Sequence, residues 1–261
     1  MMTEHLAAMI QYGNEKLFVN RGMRDYFSYR DLGVEKASNG RIVAQLNRAN
    51  YELTEEGELH HHVLTHQINY VLRGKAVMKF EGTGKVELAA GDCFYMPPNI
   101  KHTFVSCSGD FITMEICTPA DFGTVEDDPE TYSKSAKLPQ YFSNQPSEDG
   151  VFERQGLRSY FSYRDLGIAE ATGGAVLAHV IRAEEELSEP GDQHYHVLDD
   201  QFVYIIQGWA EVQFEGQQPI RVDAETCFYQ PSEIRHAFLA CSSDFQALEV
   251  CLPADFETHT T

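Results

Sequence analysis

The sequence predicts an all-β protein built from two copies of one domain, each a sandwich or barrel of short strands. Three observations carry that reading. The chain of 261 residues repeats itself at an offset of 134: the octapeptide Tyr26-Phe27-Ser28-Tyr29-Arg30-Asp31-Leu32-Gly33 returns unchanged as Tyr160 to Gly167. Nearly everything between the repeats' ends reads as short runs rich in Val, Ile, Phe, Tyr and Thr, separated by glycine-containing turns. No alternation of strand and helix patterns, the mark of a parallel sheet, is visible. The offset holds from about residue 23 to residue 122. A period this long indicates duplicated domains, because solenoid repeats run to roughly 20–50 residues.

Along the chain, Glu4 to Tyr12 suits a short amphipathic helix. Strands are expected over Arg41–Arg48, Ile68–Leu72, Ala76–Phe80, Cys93–Met96, Thr103–Ser106 and Phe111–Cys117, and over their counterparts in the second half. Gly82-Thr83-Gly84 and Gly91-Asp92 mark hairpin ends in the first half, and Gly216 to Pro219 does so in the second. Turn signals every eight to twelve residues fit a sandwich or barrel. The polar, proline-bearing stretch from Glu126 to Gly150 reads as a linker that holds a turn of helix and wraps over a domain. The expected division is residues 1–125, a linker over 126–150, and residues 151–261.

A formal net charge of −20 argues against nucleic acid or an anionic membrane surface as partner. No basic segment followed by an apolar one opens the chain, and the apolar runs fall far short of the roughly 20 residues a membrane span needs. A cytoplasmic location is expected, with the six cysteines reduced and mostly buried.

The chemistry is concentrated in repeated histidines. Residues two apart on a strand share a face, so His60 and His62 point together and His61 points away. His60, His62, Gln67 and His102 recur as His194, His196, Gln201 and His236, whereas His61 becomes Tyr195 and His66 becomes Asp200. The histidines on one face are kept and the others are not. That is the pattern expected of ligands.

From His60 onward the spacing resembles the two signature motifs of the cupin superfamily. Gln67 stands in the glutamate place and Gly74 is the closing glycine of the first motif. Gly91, Pro97 and His102 carry the second. The departures are the two-residue spacing between Gly57 and His60, Asn99 in a glycine place, and Glu225 and Glu233 in glycine places of the second half. Asn tolerates a left-handed turn and Glu does so poorly, so the second turn is expected to differ slightly. The resemblance covers about 100 residues of each half and implies a bicupin of the cupin-2 type, two jelly-roll barrels with short helical or irregular segments at the N-terminus and linker. It also implies one divalent transition metal per domain, Fe, Mn, Co, Ni or Zn. The ligands would be His60, His62, Gln67 and His102 in the first domain, and His194, His196, Gln201 and His236 in the second.

Glutamine in place of glutamate removes a negative charge. Affinity for Mn is then expected to fall relative to metals that favour imidazole, and the open positions should attract an anionic ligand more strongly. Asn69, Phe104, Val203 and Phe238 share the ligand face and are expected to line the pockets, with plain core packing an equal reading of Phe104 and Phe238. The contrast between Asn69 and Val203 implies that the two pockets are not equivalent. Glu115 and Glu249 sit at equivalent places inside apolar runs. They are expected to point outward to water or an arginine, with a buried general base as the alternative. The octapeptide reads as a strand running into a turn, with a structural role or one between domains and substrate binding as the alternative. Arg48 and Arg182 read as solvated charges, with clamping of an acid as the alternative.

The function implied is metal-dependent chemistry on a small acidic or enolisable molecule, by a dioxygenase or, next, an isomerase. Oxalate decarboxylation is disfavoured because that branch resembles glutamate-ligated Mn sites. A ligand-binding or sensing cupin without catalysis is the other reading. The two domains are expected to pack as single-domain cupins do in dimers, and a homodimer of the chain remains open.

Overall fold

The computed structural model describes residues 8–20, 24–132, 141–143, 152–154 and 158–260. The chain separates into two compact units. One is Glu15–Glu148; the other joins Met1–Asn14 to Asp149–Thr261.

Each unit is a pair of antiparallel sheets. In Glu15–Glu148 a six-stranded sheet runs in the order Tyr141–Ser143, Cys93–Met96, His66–Arg73, Ile112–Thr118, Val43–Ala49, Phe27–Asp31. A five-stranded sheet runs Gly123–Glu126, His60–Val63, His102–Cys107, Lys75–Phe80, Gly84–Ala89. The other unit repeats both sheets strand for strand, with Met9–Gln11 taking the place of Tyr141–Ser143. The duplication extends to irregularities: the shift in pairing at Val77/Met78 recurs at Glu211/Val212. The protein is an all-β tandem of two such jelly-roll units.

The cores draw on both sheets of each unit. Phe27, Val71, Phe94 and Met96 from one sheet pack with Met78, Phe80 and Leu88 from the other. Phe161, Val203 and Phe228 pack with Val212, Phe214 and Val222 in the second unit. Burying each such side chain contributes about 1.5–3 kcal/mol. The six cysteines are free and buried.

Gly74 shows why the first motif closes on glycine. Its φ is +73°, and an added Cβ would sit 2.8 Å from the Cα of Phe111; at Gly208, with φ +71°, the corresponding distance to Phe245 is 2.9 Å.

Two expectations need correction. Glu225 and Glu233 do not alter their turns: both hold left-handed φ values, +68° and +63°, beside +94° at Gly91 and +62° at Asn99. The backbone bonds made there explain it. Glu225 N–H donates to Ile205 O at 2.8 Å and Glu233 N–H to His196 O at 2.9 Å, matching Gly91 to Val71 and Asn99 to His62. The ladder sets the conformation, and the side chain tolerates the strain of about 1–2 kcal/mol. The second correction concerns the N-terminus. Met9–Gln11 is a strand paired with the edge strand Cys227–Gln230 and not part of a helix; residues 1–7 lie outside the described residues. An open sheet edge offers backbone partners that outweigh the propensity of so short a segment. In the expected linker, a 3-10 turn at Pro129–Thr131 precedes the strand Tyr141–Ser143, which pairs with Cys93–Tyr95.

Candidate metal centres

His60 and His62 stand on one strand of the five-stranded sheet and His102 on its neighbour, with His60 and His102 directly paired. Alternation sends both strand-sharing imidazoles to one side, and the pairing brings the third beside them. One ligand atom from each of the three lies within 4.8 Å of the others, and His194, His196 and His236 form the same group in the other unit.

Each ring is held by its Nδ1. His60 Nδ1–H donates to Glu58 O at 3.1 Å and His102 Nδ1–H to Ile100 O at 2.9 Å, while His62 Nδ1 bonds Thr124 Oγ1 at 2.9 Å. The second unit repeats this with Asp192 O, Ile234 O and Thr258 Oγ1. The backbone carbonyls fix the tautomer of His60, His102, His194 and His236, and the Nε2 atoms of each group face one another as metal-binding imidazoles require; in the second unit the Arg158 guanidinium also meets His194 Nε2. Burial, and then the charge of Arg24, pulls His60 and His62 down to about 4. His102 is fully buried and lies well below the ordinary value. His194 falls to about 4 through burial and Arg158; His236 falls well below the ordinary value through burial and His194. The rings are therefore neutral at pH 7, the form that binds a cation. Three buried neutral imidazoles without an anionic partner among their Nε2 atoms suit a divalent first-row metal. These are two metal-binding groups, one per domain.

The six-stranded sheet supplies the other wall. Gln67 Nε2 donates to Glu115 Oε1 at 2.5 Å, and Glu115 Oε2 accepts from Gln45 Nε2 at 2.7 Å and Asn47 Nδ2 at 3.3 Å. Glu115 therefore points inward, contrary to the outward orientation expected from sequence. Its cross-strand neighbours Gln45 and Asn69 are polar and face the same cavity, so the carboxylate finds donors there. The charge absent from position 67 returns one hydrogen bond behind it. Glu249 is likewise turned in, accepting from Gln201 Nε2 at 2.9 Å and meeting His179 Nε2 at 2.5 Å. Burial opposes its ionised form, but the hydrogen bond and charge of His179 prevail and hold the carboxyl well below the usual range.

The cavity beside the first group has a volume of about 250 Å³. Asn69 and Phe104 are among the residues that line it. Val203 and Phe238 lie in the apolar core cluster of the second unit. The octapeptide contributes more than structure: Tyr26, Phe27 and Tyr29 all line the cavity. Burial and the charge of Glu115 push Tyr29 up to about 12. Arg48 lies against the Phe18 ring and pairs with Glu15, and Arg182 lies against the Phe152 ring, so neither reaches the site.

Sequence reasoning missed Arg24, Gln45, Asn47, Phe122 and Thr124, all of which line the cavity. The repeat carried the signal for three of them, since Arg24, Phe122 and Thr124 recur 134 residues on as Arg158, Phe256 and Thr258.

Comparison with known proteins agrees with this geometry. Residues 48–117 match the family model described as Cupin domain. A curated relative, "Polyketide synthase CurC" of Streptomyces cyaneus, is 35% identical over 69 residues, 26% of this chain. The chain spans 41% of that relative's length. Among solved structures, a mutant of Bacillus subtilis oxalate decarboxylase OxdC superimposes with a TM-score of 0.68 at 12% identity, covering 97% of this chain and 79% of that one. The same enzyme at pH 4.6 gives 0.64 at 14% identity, covering 97% and 78%. A structure of the enzyme described through its Mn(II) centres gives 0.63 at 12% identity, covering 91% and 76%. At such identities the likeness is one of fold. Residues 48–117 thus match the cupin domain, and the chain has the fold of a bicupin with one histidine group fit to hold a metal in each domain.

Proposed function

We propose that the protein is a metal-dependent enzyme acting on a small acidic or enolisable organic molecule, with a dioxygenase reaction first and an isomerisation second. The observation that carries this is the opening of the His60, His62 and His102 group onto a cavity whose polar wall holds Arg24, Asn69 and Glu115. In this reading the three imidazoles hold the ion, and Gln67, its Nε2 given to Glu115, offers Oε1 as a fourth ligand. Gln201 does the same in the second domain. A divalent ion there supplies positive charge and open positions for a substrate oxygen and, where it is redox-active, electrons for O₂.

The protein side chains divide the remaining work. Arg24 neutralises a substrate carboxylate. Glu115 accepts a proton from an enolisable carbon, aligned by Gln45 and Asn47. Phe27, Phe104 and Phe122 exclude water. About 250 Å³ lies below the roughly 300–1,000 Å³ of drug-sized ligand pockets, which favours a small substrate. The Streptomyces relative's name points the same way, since polyketides are enolisable. Oxalate decarboxylation is not favoured, as Gln67 stands where a glutamate ligand would be.

The test is a screen of the protein loaded separately with Fe(II), Mn, Co, Ni and Zn against small carboxylic acids and β-dicarbonyls, followed by O₂ uptake and chromatography. Turnover with at least one metal is expected. Saturable binding without turnover by every metal form would contradict it and favour a ligand-sensing cupin.

A further inference from the structure

Arg24 and Arg158 occupy equivalent places in the repeat, yet they make different contacts. Arg24 is 8% exposed; its Nη1 donates to Glu58 Oε2 at 3.0 Å and lies 3.8 Å from Glu126 Oε1. Its Nη2 is buried, lines the cavity, and has no hydrogen-bond partner among the described residues. Asn69 Nδ2, on the strand His66–Arg73 of the six-stranded sheet, is likewise buried, 4% exposed and without a partner among the described residues. A buried donor left unsatisfied costs about 1–3 kcal/mol, and more when charged. A guanidinium N–H and an amide N–H aimed into one cavity beside a cation site are satisfied together by a carboxylate. Asn47 Oδ1, also buried and unpartnered among the described residues, offers an acceptor in the same cavity.

The second repeat has lost this receptor. Glu58 and Glu126 are replaced by the shorter Asp192 and the neutral Thr260. The Arg158 guanidinium instead lies against His194, its Nη2 meeting Nε2 and standing 3.3 Å from Nδ1. Asn69 and Asn47 become Val203 and Ile181, both members of the apolar core cluster.

We propose that the first domain alone receives the anionic end of the substrate, with Arg24 and Asn69 as its receptor, and that the second domain is a metal site without one. This rests on the metal-dependent reading above and assigns its substrate site to one repeat.

The test uses the full chain loaded with Co(II), its cobalt content fixed by plasma mass spectrometry, and titrated with pyruvate or the uncharged pyruvamide. Cobalt absorption and calorimetry report binding. The expected result is one pyruvate per chain carrying two cobalt ions. That pyruvate should remain in His194→Ala and disappear in His60→Ala, each of which holds one ion. Arg24→Gln should keep both ions and bind pyruvate 10–100-fold more weakly, the effect of losing a hydrogen bond to a charged group, with pyruvamide binding unchanged. Asn69→Val places the second repeat's own residue in the first, so it is compatible with the fold, and it should also weaken pyruvate. Two equal pyruvate equivalents, no saturation, or undiminished binding in both Arg24→Gln and Asn69→Val would overturn the proposal. Failure of the wild type to take up cobalt would instead overturn the metal reading beneath it.

Discussion

Metal-free protein is expected to lose stability steeply as the pH falls from 6.5 towards 4. Unfolded histidine titrates near 6.5, whereas His60, His62 and His194 in the fold are lowered to about 4 and His102 and His236 lie further down. Below pH 6.5 the unfolded chain therefore takes up protons that the folded chain refuses, and stability falls with pH. The contribution is complete above 6.5 and is lost through that window. One imidazole shifted from 6.5 to about 4 corresponds to about 3 kcal/mol. Neighbouring rings titrate as a coupled set, so the losses do not simply add. Even two such groups amount to a large part of the ~5–15 kcal/mol that holds a typical domain. Urea midpoints in the presence of a chelator at pH 7.5, 6 and 5 should fall at each step, and added metal should blunt the fall because it binds the neutral rings. Midpoints that stay level from pH 7.5 to 5 would contradict the packing described for these imidazoles.

Glu249→Ala is expected to destabilise the metal-free protein by about 1–3 kcal/mol, the cost of leaving buried donors without their acceptor. The carboxylate meets His179 on one oxygen and Gln201 on the other, and the paired side chains are 13% and 15% exposed. Its removal strands both partners inside the barrel. Because the carboxyl is held below the usual range, its contribution is present above the ordinary carboxylate value and lost as the pH falls below it. Replacing the pair together, Glu249→Leu with His179→Ile, should recover most of the loss, since two apolar side chains leave no orphaned polar group. Denaturation at pH 7.5 reads both variants. A single substitution costing under about 1 kcal/mol, the range of an exposed pair, would show that the pair is solvated.

Strand positions in the first repeat were legible because their signal is local. Cys93–Met96 was read residue for residue, and Val43–Ala49 and Ile112–Thr118 lie within one or two residues of expectation. The same-face argument for His60 and His62 held because a strand's period of two is fixed by its geometry. What stayed hidden depends on contacts between distant segments. Glu115 was expected to face water because an ionisable residue in an apolar run usually does. Its inward orientation follows from amides 48 to 70 positions away, which no local window contains. Arg24 was missed because nothing nearby marks it as buried, although the repeat preserves it. Met9–Gln11 became a strand because of a partner near residue 228. Glu225 and Glu233 show the same rule at the backbone: the ladder they complete overrides their local preference.

The central claim, two metal sites built on two histidine triads, is tested most directly by plasma mass spectrometry of the purified protein after reconstitution with Fe(II), Mn, Co, Ni or Zn. Wild type, His102→Ala and His236→Ala are measured side by side. Near two ions per chain in the wild type and near one in each variant is the predicted result. No stoichiometric ion in the wild type with any of these metals, or a content unchanged by either substitution, would contradict it.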